Sequence, residues 1–306
     1  MTGAAAVVVV GLSLCLDEEW AVDRLEPGGV FGGIAPVARA GGKAANVARV
    51  LMKLGVRARL LGAAGGDTGR RIRALLRAER IAADLVAARG ESRRCILVVE
   101  RERPRQTVLN GIAPPIPRRG IDELLRLARR ALRSGASALV IAGSLPKDAA
   151  ASAYPRFLAL AREAGVPSLL DSSGLGLESG LSGPARPSII KVNRREIAAF
   201  VSGGRVPRRE PTLAGTIRMA RWAREKTGVP EVVVTGGARE VVAVSASGAT
   251  VLRPPKVPVR SAVGAGDAFA AGLVARPRAP LEERLALAIG AAADWCRGGS
   301  FSSSGS

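Results

Sequence analysis

The chain of 306 residues carries 46 Lys and Arg against 26 Asp and Glu, a formal net charge of +20, and it contains no histidine. The missing imidazoles exclude His-based triads, HExxH zinc sites and any His general base. Nearly half the residues are apolar but only 3% are aromatic, so the core is expected to be built from Ala, Val, Leu and Ile, in one large α/β domain or two small ones.

The opening stretch MTGAAAVVVVGLSLCLDEEW has the hydrophobicity of a signal peptide but lacks a basic start. A buried first strand, Val7–Leu12, accounts for it better. No run of about 18 uncharged apolar residues follows, so no membrane span is expected. Cys15, Cys95 and Cys296 are far apart and odd in number. They offer neither a metal-ligand spacing nor a disulfide framework, which suits a reducing cytoplasm.

Further apolar strands are expected at Ala58–Ala64, Ala138–Gly143, Pro167–Asp171, Ser188–Val192 and Glu231–Gly236. Helical patterns lie between them at Ala44–Leu54, Gly69–Arg80, Ile121–Arg133, residues 149–163, Arg195–Val201 and Thr212–Lys226. This alternation predicts a mostly parallel sheet covered by helices. Val241–Ala246 and Ala249–Pro254 read as a hairpin turning at Ser247-Gly248, and helices follow at Ala265–Val274 and Leu281–Cys296. Asp17–Arg39 and Arg93–Asn110 break the rhythm and predict a small β element off the main sheet. The low-complexity end, residues 298–306, is expected to be disordered. The excess arginines ride mainly on amphipathic helices and read as solvated faces, favouring small anionic ligands over nucleic acid.

Three loop-to-helix joints carry candidate chemistry. In RSAVGAGDAFAAGL (Arg260–Leu273) a glycine turn feeds a helix, whose first N–H groups lack intrahelical partners and attract anions. Asp267 there is either a helix cap or a base held beside a phosphate. In AGGKAANVARVLMKLG (Ala40–Gly55) the turn and Lys43 could hold an anion, or form an ordinary joint with a solvated lysine. In KVNRREIAAF (Lys191–Phe200), Asn193 and Glu196 share one helical face and suit either a water-mediated Mg²⁺ shell or a capping box. GGDTG (Gly65–Gly69) reads as a structural turn with Asp67 as the cap.

Taken in order, VDRLEPGGV, GGKAANVARVLMKLG, GGDTG, AGSLP, DSSG, KVNRRE and VGAGDAFAAG resemble the phosphofructokinase-B family of the ribokinase-like fold. The likeness spans about Val7 to Ala293 and favours the branch of 1-phosphofructokinase and tagatose-6-phosphate kinase. It implies a three-layer α/β/α kinase domain over residues 1–297, with lid segments at about 13–39 and 93–110. It also implies a cytoplasmic enzyme that uses ATP and Mg²⁺ to phosphorylate a sugar phosphate such as fructose 1-phosphate, fructose 6-phosphate or tagatose 6-phosphate.

Carried over by position, the resemblance makes Asp267 the base, with Gly264, Ala265 and Gly266 as the anion hole. Asp17, Gly42, Lys43, Asn46 and Arg93 would hold the acceptor, with Lys43 and Arg93 on its phosphate. Lys191, Asn193, Thr235 and Gly237 would line the nucleotide, and Asn193 and Glu196 would serve Mg²⁺ through water. A homodimer through the lid is implied by analogy. Departures from the family pattern fall at Ala44, within SLCLD, and at Val192, Ala262, Arg94-Cys95, Val108 and Glu240, and a PGT-like C-terminal segment is missing. Several lie on the sugar side. Two rival readings remain open: a kinase for an unphosphorylated sugar or nucleoside, and a degenerate relative that binds nucleotide or nucleic acid without turnover.

Overall fold

Four valines and a glycine, Val7–Gly11, form the first strand, β1, which is buried along its whole length. Side chains alternate along a strand, so Val7 and Val9 enter one apolar core while Val8 and Val10 enter a second on the opposite face. Such a strand must lie inside a sheet covered on both sides, and the continuous apolar run is its signature.

The computed structural model describes residues 6–103, 105–146 and 152–298. Among them are thirteen strands and nine helices, numbered here in chain order. The main sheet comprises β1, β4 (Ala58–Ala64), β5 (Ala82–Ala87), β8 (Ala138–Ala142), β9 (Ser168–Asp171), β10 (Ile189–Asn193), β11 (Glu231–Thr235), β12 (Val241–Ser245) and β13 (Gly248–Leu252), in the order β13-β12-β11-β10-β9-β8-β1-β4-β5. All pairs are parallel except those made by β12 and β13. The first core is closed by α1 (Lys43–Lys53), α2 (Gly66–Ala78), α8 (Ala265–Ala275) and α9 (Leu281–Gly298). The second is closed by α3 (Arg118–Arg133), α4 (Ala153–Glu163), α5 (Leu175–Ser182), α6 (Arg194–Val201) and α7 (Leu213–Thr227). This is the expected three-layer arrangement.

The two irregular segments form a separate sheet in the order β3-β2-β6-β7, from β2 (Cys15–Val22), β3 (Val37–Gly41), β6 (Arg93–Glu100) and β7 (Gln106–Asn110). The connections run outward in both directions from β1, which pairs with β4 on one side and β8 on the other. A crevice at the carboxyl ends of the strands belongs at such a switch point.

Several sequence expectations need correction. β5 was not anticipated: it is a half-exposed edge strand, AADLVA, whose Asp84 pairs with Arg59, so no clean apolar run marks it. α5, LGLESGLS, was also missed; its glycines and serines are poor helix formers, and it is held by packing of Leu177 and of Gly180 against Leu170. The hairpin turns one residue early, since Ser245 pairs with Gly248. Asp67 is not the cap of α2. That role falls to Glu91, whose carboxylate accepts the N–H groups of Asp67 and Thr68 at 2.9 Å each, while Asp67 pairs with Arg70. Residues 299–306, and the start of the helix expected at 149–163, lie outside the described residues; Gly298 itself closes α9.

Candidate active site

α8 begins at a turn that only glycine can make. Gly264 has φ +90°, and a Cβ there would stand 2.7 Å from the Trp295 ring. Ala265, Gly266 and Asp267 then form the first turn of the helix. Asp267 does not cap it: the cap residue is Gly264, with no side-chain bond to the helix end. Its carboxylate instead accepts from Asn46 Nδ2 on α1 at 2.8 Å. Asn46 Oδ1 is engaged by Arg49 at 2.7 Å, and Arg49 also donates to the Ala40 carbonyl and the Glu79 carboxylate. The amide is therefore locked with its NH₂ toward Asp267. Burial pushes the Asp267 carboxyl up to about 6, against the pull of Lys43 and the Asn46 hydrogen bond, and Asp171 adds to the rise. The group is ionised at neutral pH yet basic enough to take a proton.

A second charged cluster lies beside it. Asp171, fully buried at the end of β9, accepts from Lys43 Nζ at 2.7 Å and from Lys191 Nζ at 2.8 Å. Burial opposes its ionisation, but Lys191 and Lys43 outweigh this and hold the carboxyl below the ordinary range. Burial likewise opposes the Lys43 charge, and Asp171, Glu196 and Asp267 reverse the effect and keep the ammonium protonated. Lys191 Nζ would be 3.4 Å from a Cβ on Gly266, so this cation sits at the mouth of the glycine turn.

Between the turn and the lid sheet opens a cleft of about 630 Å³. Asp17, Gly42, Lys43, Asn46 and Arg93 all line it, together with Gly264 and Asp267. The structure thus brings together every residue expected to hold an acceptor and the expected base. Arg93 is braced by Ser13 Oγ at 3.0 Å, the Ser13 carbonyl at 3.2 Å and Asn110 Oδ1 at 3.3 Å. Arg39 adds a third cation to the lining; burial, helped by Arg49, lowers its guanidinium to about 10, still protonated at neutral pH. Burial raises the Asp17 carboxyl, with the Cys15 hydrogen bond and Arg93 opposing.

The other expected positions lie outside that lining. Asn193 and Thr235 are register partners at the ends of β10 and β11, and Gly237 follows at φ +65°. Asn193 and Glu196 form the capping box in full: Asn193 Oδ1 accepts from the Arg195 and Glu196 N–H groups at 2.9 Å each, and Glu196 Oε2 accepts from the Asn193 N–H at 2.7 Å. Glu240, a departure from the family pattern, is tied to Arg194 and Arg253 at 3.0 and 2.8 Å.

Sequence reasoning missed Asp171, Arg39 and the Arg49 brace. Asp171 carried a usable signal, a carboxylate ending a buried apolar strand just before a Ser-Ser-Gly turn. The cysteines, far apart in sequence, are not all far apart in space: Cys15 and Cys95 meet beside Asp17.

An α/β sheet with a β lid, an anion-seeking glycine turn and a buried base define a class of small-molecule phosphotransferase. Residues 4–299 match the pfkB family carbohydrate kinase, and the chain belongs to that family. It is 32% identical over 274 residues to 1-phosphofructokinase of Rhodobacter capsulatus, covering 88% of this chain and 82% of that protein. It is 30% identical over 295 residues to ATP-dependent 6-phosphofructokinase isozyme 2 of Escherichia coli, covering 94% and 92%. Its fold is similar to the crystal structure of Escherichia coli phosphofructokinase-2 in complex with fructose-6-phosphate, with a TM-score of 0.82 at 26% identity over 95% of this chain and 93% of that one. The described residues include no helix long and apolar enough to cross a membrane.

Proposed function

We propose that this carbohydrate kinase transfers the terminal phosphoryl group of ATP to a hydroxyl of a ketohexose phosphate, of the kind of fructose 1-phosphate, fructose 6-phosphate or tagatose 6-phosphate. The observation that carries this is one cleft holding a buried carboxylate of raised basicity and three cations, Lys43, Arg39 and Arg93. One base suffices for any alcohol acceptor. Three cations suit an acceptor that already carries a phosphate dianion.

Asp267 takes the proton of the attacking hydroxyl, oriented by Asn46, which Arg49 holds in place. The Gly266 N–H, with Lys191 beside it, stabilises charge on the group in transfer; the Ala265 and Asp267 N–H groups already donate to the Ala262 and Gly264 carbonyls at 3.1 and 3.0 Å. Asp17 holds acceptor hydroxyls, and Arg93 grips the phosphate. Lys191, Asn193, Thr235 and Gly237 face the nucleotide. Mg²⁺ fits through water: Asn193 Oδ1 is committed to the helix end, whereas Glu196 keeps one carboxylate oxygen for a hydrated ion. When bound, the ion neutralises charge on the phosphate oxygens. The lid sheet excludes water from the cleft. Its exposed Val37 and Leu109, on the two outer strands, support a homodimer through the lid. Sedimentation should give twice the chain mass, and Leu109→Asp should return the monomer; a monomeric wild type sinks the dimer.

The test of function is ADP release with ATP and Mg²⁺ over a panel of hexose phosphates, free sugars and nucleosides. Turnover on a ketohexose phosphate is expected. Arg93→Met should raise KM for that acceptor by about 10-fold or more, as a charge-assisted grip is worth roughly 1.5–3 kcal/mol, and leave KM for ATP unchanged. Turnover only on free sugars or nucleosides removes the phosphate grip. ATP binding without turnover, joined to salt-dependent nucleic-acid binding, would favour the degenerate reading.

A further inference from the structure

Cys15, Asp17 and Cys95 form a cluster whose two thiols have no part in phosphoryl transfer. Cys15 and Asp17 are alternate residues of β2, and Cys95 stands opposite Asp17 on β6, so all three side chains leave one face of the lid sheet. The two sulfurs and a carboxylate oxygen lie within 4.8 Å of one another. Cys15 Sγ donates to Asp17 Oδ1 at 2.9 Å, and all three residues line the acceptor cleft. The thiols are buried at 1% and 8% exposure, so the donors are already drawn out of water.

The register of the lid sheet sets how the two thiols meet. Cys15 faces Arg93 and Cys95 faces Asp17, which makes the two cysteines diagonal neighbours across the ladder. A metal ion fits between the sulfurs, because metal–sulfur bonds are about 2.3 Å and metal–carboxylate bonds about 2.0–2.2 Å. Tetrahedral donors then stand somewhat under 4 Å apart, a shift of about 1 Å from separations that lie within 4.8 Å, with the Cys15 Sγ–Asp17 Oδ1 contact of 2.9 Å opening to admit the ion.

We propose that Cys15, Asp17 and Cys95 bind one thiophilic divalent cation, of the Zn²⁺ class, inside the acceptor cleft. On binding, both thiols release their protons to solvent. Two thiolates and one carboxylate then face a dication, and Arg93, which donates to Cys95 Sγ at 3.0 Å, brings the local charge to balance. The fourth position opens to the cleft, for water. Because Asp17 and Arg93 are also the proposed acceptor contacts, the ion and the sugar phosphate exclude each other. Only that last consequence rests on the kinase reading; metal binding does not.

The experiment titrates the reduced full chain with Cd²⁺ and follows the ultraviolet thiolate-to-metal charge-transfer band. A chromophoric chelator competition then gives the Zn²⁺ affinity. A band saturating at one equivalent is expected. Cys15→Ser and Cys95→Ser should each weaken Zn²⁺ by at least about 100-fold, since even ligand-supporting residues cost 10–100-fold. Cys296→Ser, on α9, should bind as wild type. A wild-type chain with no saturable band, a band that survives loss of both Cys15 and Cys95, or an equal loss in Cys296→Ser overturns the site. Should the cleft variants fail to fold by circular dichroism, the wild-type band and its stoichiometry still decide.

Discussion

Asp267→Asn is expected to abolish phosphoryl transfer and, at neutral pH, to make the fold more stable. The first effect follows from removing the proton acceptor, a loss of at least about 10³-fold in kcat/KM with Asn46 still in place. The second follows from the environment that makes the residue a useful base. Burial lifts its carboxyl from 3.8 to about 6, so the folded chain holds that proton more tightly than the unfolded chain does. Stability present at low pH is therefore lost as pH rises through this window, and the ionised group costs the fold roughly 2–3 kcal/mol above about pH 7. Asparagine keeps the hydrogen-bond acceptor without the charge. Denaturant midpoints measured against pH should show the variant ahead of wild type near neutrality, with the advantage gone below about pH 4. The same proton should give wild-type kcat/KM an acid limb near pH 6, falling about tenfold per pH unit. A variant that is active, or no more stable than wild type at neutral pH, removes either the base or its cause.

The parts of this site legible in the sequence are those a single segment determines. Val7–Gly11 announces a doubly buried strand because its apolar run is continuous. Gly264, followed by helix-forming alanines, announces a helix start, and the order of the glycine turns gives the family. The unread parts depend on how distant segments align. Asp171 acquires two ammonium partners only because β9 lies beside β10, which carries Lys191, and ends near the start of α1, which carries Lys43. Glu91 reaches the end of α2 from a separate loop. Cys15 meets Cys95 only through the parallel register of β2 and β6, and a shift of one residue would turn Cys95 to the other face. In Asn193-x-x-Glu196 the structural and functional readings coincide, because the capping box that orients Glu196 also leaves it one oxygen for a hydrated ion.

Gly266→Ala separates the chemical role of the glycine turn from its structural one. Gly264 and Gly266 differ in what a methyl group would meet. At Gly264 it would strike the Trp295 ring at 2.7 Å on a backbone at φ +90°, so Gly264→Ala should lose stability and activity together. At Gly266 the backbone is ordinary helix, and beyond the helix's own backbone the only described neighbour within 4 Å is Lys191 Nζ, at 3.4 Å. Alanine is the better helix former by roughly 0.5–1 kcal/mol, so the melting midpoint of Gly266→Ala should hold or rise. Yet the new methyl stands beside the Lys191 ammonium at the Gly266 N–H, which alone among those of Ala265, Gly266 and Asp267 donates to no backbone carbonyl, in the space through which the transferred phosphoryl must reach both. Loss of one such contact in the transition state lowers kcat by about 10²–10³-fold, while the acceptor KM, set by Asp17 and Arg93 across the cleft, should change little. Full kcat in a well-folded Gly266→Ala would mean that the phosphoryl group does not approach this turn, and the proton acceptor would have to be sought beside the Lys43–Asp171–Lys191 cluster instead.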